Sequence, residues 1–359
     1  MSQPVVAAVA QAFKGSFLVA EVAAALEHGI GSAGATPRVV RGSDGGDGLL
    51  DALTGLTVRR SQHPTVDPLG RPLSVPIGWL DETTAVVESR LSCGLSLLSA
   101  EERDPLRTST RGVGMLVQAA VSAGARTVYV GLGGSATMDG GVGMARAWGW
   151  VPRDIAGREL PEGGGGLGGL ARLDPGAPPQ ATVVGLCDVS NPLLGPRGAR
   201  VYARQKGATP ADEDRLAEGL TRLAEIVGQR GLRGRGSQPG AGAAGGLGFG
   251  VLEFAGGRLE PGAVWVLDRV GFGAALNGAD LVLVVEGAFD RTSLEGKLTG
   301  VAMSRARAAG IGIALAAPQA TDVPGDVAYE TGGDRWDLPE LERRARRVVK
   351  RALRLLRAR

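Results

Sequence analysis

The most informative segment of this chain is residues 127 to 148, Thr127-Val-Tyr-Val-Gly-Leu-Gly-Gly-Ser-Ala-Thr-Met-Asp-Gly-Gly-Val-Gly-Met-Ala-Arg-Ala-Trp148. Residues 128 to 130 are β-branched or aromatic, residues 131 to 141 are rich in glycine, and residues 142 to 148 are mostly helix formers. This order predicts a buried strand, a glycine loop and a helix. The segment therefore indicates an α/β unit, and we look for the same pattern on either side of it.

The glycine loop predicts a binding site for an anionic group. Glycine has no Cβ, so an anion can approach the main-chain N–H groups closely, and the following helix adds the positive end of its dipole. A tight connection without a ligand is the alternative, but the loop has more glycine pairs and small polar residues than a turn needs. The candidate binding residues are Gly133, Gly134, Ser135, Thr137 and Asp139.

Length and composition indicate a glycine-rich globular protein with two domains. The chain has 359 residues, 43% hydrophobic and 21% charged, with 59 glycines, and this length suits two ordinary domains. No apolar run approaches the roughly 18 residues that a membrane span needs, and the first ten residues lack the features of a signal peptide. We therefore expect a cytoplasmic protein. Cys93 and Cys187 form no metal or disulfide pattern.

The basic charge of the chain is concentrated in its last residues. The net charge is +3, but from Pro339 onward nine Lys or Arg and two Glu give +7, which leaves −4 for the remainder. The apolar residues of this tail recur at helical spacing and predict an amphipathic helix docked through one stripe: Leu341, Ala345, Val348, Val349, Ala352, Leu355 and Leu356. We favour a solvated basic face over a membrane or nucleic-acid contact, because the chain has few aromatic residues for stacking.

The first α/β unit places a lysine beside a helix N-terminus. Residues 5 to 9 predict a strand, and a helix is predicted from Phe17 to His28, ending at Gly29. Lys14 lies in the turn between them, where a lysine can bind phosphate as a point charge. A surface lysine is an equally good interpretation of this local pattern.

A second glycine loop follows the strand predicted at residues 37 to 41. Its candidate site residues are Asp44, Gly45, Gly46 and Asp47. Two carboxylates three residues apart can hold Mg²⁺ or accept hydrogen bonds from substrate hydroxyls, although Asp-Gly is also ordinary turn chemistry.

Residues 57 to 88 predict short antiparallel strands, with Glu88 at the end of one of them. Ser109 and Thr110 precede a helix predicted from residue 115, and they suit either a ligand or a plain N-cap. Asp188 follows a strand predicted at residues 181 to 186, a good position for a general base, and Asn191 follows it as a residue that could orient a substrate. An Asx turn is the alternative for Asp188.

The strand predicted at residues 279 to 285 leads into another loop with charged residues. Glu286 and Asp290 can bind a metal or a hydroxyl group, and Lys297 can neutralise phosphate oxygens. The loop is not a Walker A motif, because Arg291 and Leu298 occupy required positions. Residues 240 to 245 match the dinucleotide fingerprint literally, but no strand is predicted before Gly240, so close packing of small residues explains them better.

Taken in order, these motifs resemble the bacterial type I glycerate kinases over nearly the whole chain. The motifs are Phe13-Lys-Gly-Ser16, Asp44-Gly-Gly-Asp-Gly48, Glu88, Gly133-Gly-Ser-Ala-Thr-Met-Asp-Gly-Gly141, Asp188 with Asn191-Pro-Leu-Leu-Gly195, Gln205-Lys-Gly207, Gly240-Ala-Gly-Ala-Ala-Gly-Gly246, and Glu286-Gly287 with Gly296-Lys297. The resemblance implies ATP-dependent phosphorylation of D-glycerate, usually to 2-phosphoglycerate. It also implies two α/β domains with the active site in the cleft between them.

Two loops depart from the pattern of that family. The family's first loop resembles Pro-Asp-Ser before Phe-Lys-Gly, where this chain has Ala10-Gln11-Ala12. The later loop usually carries Gly-Glu-Gly-Arg before its aspartate and Gln two residues after it, where this chain has Val285, Ala288 and Thr292. An arginine able to grip a carboxylate or phosphate is therefore absent from that position.

We expect a two-domain α/β kinase that uses ATP and Mg²⁺ and acts on D-glycerate or a similar small hydroxy acid. One domain, residues 1–64 and 266–359, is expected to be Rossmann-like with a parallel sheet; the other, residues 65–265, is expected to have a mixed sheet. Asp188 is expected to accept the hydroxyl proton, Lys14 and Lys297 to neutralise charge, and Asp44, Asp47 and Glu286 to hold Mg²⁺. We expect no nucleic-acid or membrane partner, and a monomer or homodimer.

Two alternatives remain open from the sequence. The first is a non-catalytic ligand-binding protein that retains this fold after losing the residues named above. The second is a dinucleotide-dependent oxidoreductase built on residues 240 to 245, which a strand immediately before Gly240 would favour.

Overall fold

The structure, a computed structural model, describes residues 3–13, 17–231 and 234–358. The strands are β1 (Val5–Ala10), β2 (Thr36–Arg41), β3 (Arg59–Val66), β4 (Pro72–Trp79), β5 (Thr84–Glu88), β6 (Thr127–Gly131), β7 (Val151–Arg153), β8 (Arg172–Asp174), β9 (Thr182–Cys187), β10 (Arg258–Pro261), β11 (Leu281–Val285), β12 (Ala288–Phe289), β13 (Gly312–Ala316), β14 (Gln319–Ala320) and β15 (Val327–Glu330). The helices are α1 (Val19–Ser32), α2 (Leu49–Ala52), α3 (Arg90–Cys93), α4 (Arg111–Ser122), α5 (Val142–Arg146), α6 (Pro210–Gln229), α7 (Ala243–Glu253), α8 (Gly262–Arg269), α9 (Phe272–Leu276), α10 (Leu298–Ala308) and α11 (Leu338–Arg357).

The chain forms two compact units. The first comprises Met1–Leu56 and Pro261–Arg359, and the second comprises Thr57–Glu260. β3 pairs with β4 along its whole length, from Arg59 opposite Trp79 to Val66 opposite Pro72. This pairing places residues 59 to 64 in the second unit, whereas the sequence placed them in the first.

The first unit contains a five-stranded sheet in the order β15-β13-β11-β1-β2. Each neighbouring pair is parallel. The central strands β1 and β11 are almost entirely apolar and buried, as expected for parallel strands covered on both faces. This is the predicted Rossmann-like sheet.

The second unit contains a six-stranded sheet in the order β10-β9-β6-β5-β4-β3. β3, β4 and β5 form antiparallel pairs, whereas β5, β6 and β9 run parallel to one another. The predicted mixed sheet is thus confirmed. Apolar residues of β6 and α4 lie in its core.

Two details of the predicted helices are wrong. α1 does not end at Gly29 but continues to Ser32, because Gly29 is buried in a close helix contact with α11 rather than forming a cap. In α11 the buried stripe runs from Leu341 to Leu353. Leu355 and Leu356, predicted to belong to it, are 55% and 37% exposed.

None of the helices in the described ranges is long and apolar enough to span a bilayer.

Candidate functional site

Three predicted loops of the first unit lie at the same edge of its sheet. They follow the carboxyl ends of β1, β2 and β11, which are adjacent parallel strands. This edge is where ligands bind in open parallel α/β sheets. It gathers the predicted residues Asp44, Gly45, Gly46, Asp47, Glu286, Asp290 and Lys297. Lys14 belongs to the loop after β1 but lies outside the described residues.

Glu286 is a half-buried carboxylate that directly follows β11. Burial raises its pKa, while nearby Ser293 and Thr299 act in the opposite direction, as does the charge of Lys297. Its Oε2 is buried and has no well-formed hydrogen bond among the described residues. Gln11 is beside it, and its Nε2 donates to the carbonyl oxygen of Val285 over 2.7 Å and to Thr299 Oγ1 over 3.2 Å. Glu286 can therefore accept a hydrogen bond from a ligand or bind a cation.

Asp290 is engaged in the structure of its own loop. Its Oδ1 accepts hydrogen bonds from the backbone N–H groups of Thr292 and Ser293 and from the Thr292 hydroxyl, and the Thr292 hydroxyl is the main cause of its lowered pKa. The Thr292 hydroxyl also accepts a hydrogen bond from Lys297 Nζ over 2.9 Å. An ammonium group has three donors, so Lys297 can still bind anionic oxygens.

The loop after β2 is held by its own polar groups. Asp44 Oδ1 accepts a hydrogen bond from Gly46 N at 3.0 Å, and Ser43 Oγ donates to the carbonyl oxygen of Asp47 at 3.1 Å. A Cβ at Gly262, the first residue of α8, would lie 2.2 Å from the Asp44 carbonyl oxygen. Glycine at this position lets α8 approach the loop and fix its backbone.

No group of three or more His, Cys, Asp or Glu in the part of the chain that the structure describes is arranged to hold a metal ion. Magnesium in phosphoryl-transfer sites is usually bound by one or two carboxylates together with substrate phosphates. The hard oxygen atoms of Asp44, Asp47 and Glu286 fit such partial coordination. They do not form a complete protein site.

The second unit has an equivalent edge. β9, β6 and β5 are adjacent and parallel, so Glu88, the glycine loop after β6 and Asp188 all lie at the carboxyl ends of neighbouring strands. Glu88 is buried and pairs with Arg90, with 3.6 Å between Glu88 Oε1 and Arg90 Nη1. The sequence motifs of this unit are therefore brought together as the parallel strands predict.

The glycine loop contains its own anion. Asp139 is 1% exposed and accepts hydrogen bonds from the backbone N–H groups of Thr110, Gly141 and Gly143, at 2.8, 3.1 and 3.1 Å, and from the Thr110 hydroxyl. Burial raises its pKa, and these bonds oppose the effect. The predicted site residues Asp139 and Thr110 are thus hydrogen-bonded to each other. The N–H groups of Gly141 and Gly143 already donate to Asp139 and are not available to a ligand.

Lys206 contacts this loop from a short 3₁₀ helix, Arg204–Lys206, and the sequence analysis did not select it. It is 3% exposed, and its Nζ donates to Ser135 Oγ over 2.9 Å and to the Thr137 carbonyl oxygen over 2.8 Å. Burial lowers its pKa to about 8. The sequence did mark Lys206 as a candidate, because it lies in the Gln205-Lys-Gly207 motif and is one of only four lysines in the chain.

Ser109 is hydrogen-bonded to a different charged pair, Glu162 and Arg111. Its hydroxyl donates to Glu162 Oε2, and Glu162 Oε1 accepts from Arg111 Nη1 over 2.9 Å. The Gly- and Pro-rich composition of residues 161 to 180 favours a surface segment, but Gly164 and Leu167 within it are buried. Close approach to the backbone of residues 106 and 138 explains the glycines there.

Asn191 supports the loop that follows Asp188. Its Nδ2 donates to the Arg197 carbonyl oxygen over 2.6 Å, and its Oδ1 accepts from the Tyr202 hydroxyl over 2.9 Å. Burial raises the pKa of Tyr202, and the charge of Asp188 adds to that increase. Tyr202, through its hydrogen bond with Asn191, is a second residue of this loop that the sequence analysis missed.

The glycine run at residues 240 to 246 packs against the loop after β6. A Cβ at Gly245 would lie 1.8 Å from the Thr137 carbonyl oxygen, and a Cβ at Gly246 would lie 2.7 Å from the Cα of Gly140. Residues 234 to 242 contain a short 3₁₀ helix and turns but no strand. The dinucleotide hypothesis therefore lacks the strand that it requires, and close packing of small residues accounts for this segment.

Comparison with known proteins gives a consistent result over most of the chain. Residues 5–358 match the model of the glycerate kinase family. The chain is 40% identical over 295 residues to a glycerate kinase of Bacillus subtilis (strain 168), covering 79% of this chain and 77% of that protein. It is 36% identical over 295 residues to the glycerate 2-kinase of Escherichia coli (strain K12), covering 80% and 77%. A crystal structure from Salmonella typhimurium LT2, provisionally described as a glycerate kinase 2, superposes with a TM-score of 0.79 at 31% identity over 99% of each chain.

Proposed function

Because this chain belongs to the glycerate kinase family, we propose that it transfers the γ-phosphoryl group of ATP to the 2-hydroxyl group of D-glycerate, giving 2-phosphoglycerate and ADP. The observation that carries this proposal is the family match over residues 5–358. The name of the Escherichia coli relative, glycerate 2-kinase, supports the choice of hydroxyl group.

The reaction needs a proton acceptor and charge neutralisation. The hydroxyl oxygen of the acceptor forms a bond to the γ-phosphorus, the bond from that phosphorus to the β–γ bridging oxygen breaks, and ADP leaves. The proton of the hydroxyl group passes to a base, which we assign to Asp188. Phosphoryl transfer depends mainly on positioning and on electrostatic stabilisation rather than on covalent catalysis by the protein.

We assign the neutralisation of negative charge to Lys297 and Lys14. Lys297 retains donors beyond its bond to Thr292, and it lies on the loop that also carries Glu286. Glu286, Asp44 and Asp47 supply oxygen atoms for a substrate hydroxyl or for Mg²⁺. When bound, Mg²⁺ would neutralise charge on the phosphate oxygens.

The loops that depart from the family pattern still carry polar groups. Gln11 stands where the family carries a carboxylate, and its amide bonds the end of β11 and Thr299. Thr292 stands where the family carries glutamine, and it joins Lys297 to Asp290. These contacts support a kinase whose site is rebuilt around Glu286, and they argue against a protein that has simply lost its catalytic loop.

The deciding experiment measures phosphoryl transfer directly. The purified protein is assayed for ADP release with ATP, Mg²⁺ and a panel of small hydroxy acids that includes D-glycerate and L-glycerate. We expect turnover with D-glycerate, and the product is identified by coupling to enolase, which consumes 2-phosphoglycerate. Thermal stabilisation by ATP or D-glycerate without turnover of any acceptor would instead favour the non-catalytic alternative.

A further inference from the structure

We propose that Lys206 is a positioning residue of this kinase, whose ammonium group holds the glycine loop, residues 133–141, in the conformation that binds ligand. The proposal deepens the function proposed above and rests on the participation of that loop in the reaction. Lys206 is not assigned any contact with substrate. It acts through the loop.

The contacts of Lys206 bridge the centre of the loop. Its Nζ donates to Ser135 Oγ over 2.9 Å and to the Thr137 carbonyl oxygen over 2.8 Å. Asp139 holds the other end of the loop through the N–H groups of Gly141 and Gly143. A buried cation thus holds oxygen atoms of the loop, and a buried anion holds its N–H groups.

The surroundings leave little room for another arrangement of these atoms. A Cβ at Gly245 would lie 1.8 Å from the Thr137 carbonyl oxygen, so the backbone at Gly245 lies directly against the group that Lys206 holds. The backbone after Lys206 is equally confined, because a Cβ at Gly207 would lie 2.0 Å from the Arg103 carbonyl oxygen. Gly207 has a positive φ of 101°, which suits glycine. Lys206 therefore approaches the loop from a fixed backbone position.

The titratable groups that face Lys206 are Cys93, at the end of α3, and Asp139 in the loop. Burial lowers the pKa of Lys206 to about 8, while the charge of Asp139 acts in the opposite direction. Burial also raises the pKa of Cys93 to about 12, so its thiol remains protonated when Lys206 titrates. Above pH 8 the charge-assisted bonds from Lys206 to the loop become ordinary hydrogen bonds, which are about half as strong.

The pH dependence of activity distinguishes a positioning lysine from a purely structural one, because stability rises with pH in both cases. Since the pKa of Lys206 is lowered on folding, loss of its proton favours the folded state, so stability rises as pH increases above about 8. If the charge also holds the loop for binding, activity falls over the same range. Activity that decreases while stability increases is the signature of the positioning role.

The experiment compares Lys206→Met and Lys206→Arg with the wild type. Arg204→Met is the matched control, because Arg204 lies on the same short 3₁₀ helix with a side chain that is 74% exposed. For the wild type and Arg204→Met we expect kcat/KM for D-glycerate and ATP to fall about tenfold as pH rises through about 8, the loss expected for about 1.4 kcal/mol. Lys206→Met, which removes both hydrogen bonds, should show at least this reduction already at neutral pH and no further decrease near pH 8. The activity of Lys206→Arg, relative to its own value at neutral pH, should not fall above pH 8, because its charge persists.

A second measurement does not depend on kinase activity. Hydrogen exchange of peptides that cover residues 131–141 should be faster in Lys206→Met than in Arg204→Met at neutral pH, and faster in the wild type near pH 9.5 than at pH 7 after correction for intrinsic exchange. Unchanged exchange in both comparisons would overturn the proposal, as would a folded Lys206→Met that keeps the wild-type kcat/KM and its pH profile. If Lys206→Met does not fold, Lys206→Arg and the wild-type pH series provide the same test. Absence of turnover in the wild type, with exchange responding as expected, would refute the kinase assignment and leave the role of Lys206 in holding the loop intact.

Discussion

Gly29 of α1 faces the backbone of α11 so closely that a Cβ on Gly29 would lie 2.7 Å from the carbonyl oxygen of Glu342. It would also lie 3.0 Å from the Cβ of Ala345. Both helices belong to the first unit and cover the same face of its parallel sheet. The contact explains why α1 continues through a glycine that the sequence suggested as its end.

Replacement of Gly29 by alanine should therefore destabilise the protein. An added methyl group in a well-packed contact costs about 1–3 kcal/mol, and this exceeds the gain of at most about 1 kcal/mol from better helix propensity. Gly31→Ala is the matched control, because Gly31 lies in the same helix and an added Cβ there meets nothing within 4 Å. Urea unfolding should place Gly29→Ala about 1–3 kcal/mol below Gly31→Ala. Equal stability of the two variants would show that the helices can separate without cost.

Gly245 gives a second test of close packing, in the second unit. It has a φ of 69°, and a Cβ at Gly245 would lie 1.8 Å from the Thr137 carbonyl oxygen. Gly245→Ala should lose about 1–2 kcal/mol for the left-handed backbone and a further 1–3 kcal/mol or so for the forced contact. Gly256→Ala is the control, since Gly256 has a φ of 62° and open space around it. A difference below about 0.5 kcal/mol between the variants in urea unfolding would contradict the packing described for this loop.

The sequence was sufficient to predict the α/β units and the edges at which candidate residues collect. An apolar strand followed by a polar glycine loop predicts an α/β unit whose loop lies at the carboxyl edge of a parallel sheet. The structure has the expected residues at strand ends: Glu88, Asp188 and Glu286. The sequence could not distinguish a glycine that ends a helix from one that admits a neighbouring helix. That distinction depends on α11, which follows Gly29 by about 300 residues.

The same limit applies to the candidate site. Asp139 was selected as a residue that could bind a ligand, but its partners Thr110, Gly141 and Gly143 are visible only when α4 and the loop after β6 are folded together. Lys206 was not selected, because the two groups that accept its hydrogen bonds, on Ser135 and Thr137, are about 70 residues away in sequence. Local patterns identify groups that can carry out chemistry, whereas long-range contacts decide which of them are used within the fold.

The free energy of unfolding should depend on pH through Lys206. The pKa of Lys206 is lowered on folding from 10.5 to about 8, so between these values the unfolded chain binds more protons and stability rises with pH. Relative to Lys206→Met, the wild type should gain about 1 kcal/mol per pH unit just above pH 8. The comparison is made below pH 9, before the buried thiols of Cys93 and Cys187 contribute with the opposite sign. A stability difference that is constant from pH 7 to 9 would contradict a buried lysine that titrates in this range.

Lys297 provides the most direct test of the charge-neutralising role proposed for the first unit. Its ammonium group is held at the Thr292 hydroxyl, on the loop that carries Glu286. Removing one preorganised donor from an oxyanion hole costs about 10²–10³ in rate, and by the same electrostatic argument Lys297→Met should lower kcat/KM for D-glycerate by about 100-fold or more. Arg291→Met is the matched control, because this substitution removes the same charge from the same loop, at a side chain that is 84% exposed. The activity of Arg291→Met should stay within about threefold of the wild type. Both variants are measured by ADP release at saturating and limiting ATP, after circular dichroism confirms folding. Similar activities for the two variants would remove Lys297 from the reaction and would assign its bond with Thr292 to the stability of the loop alone.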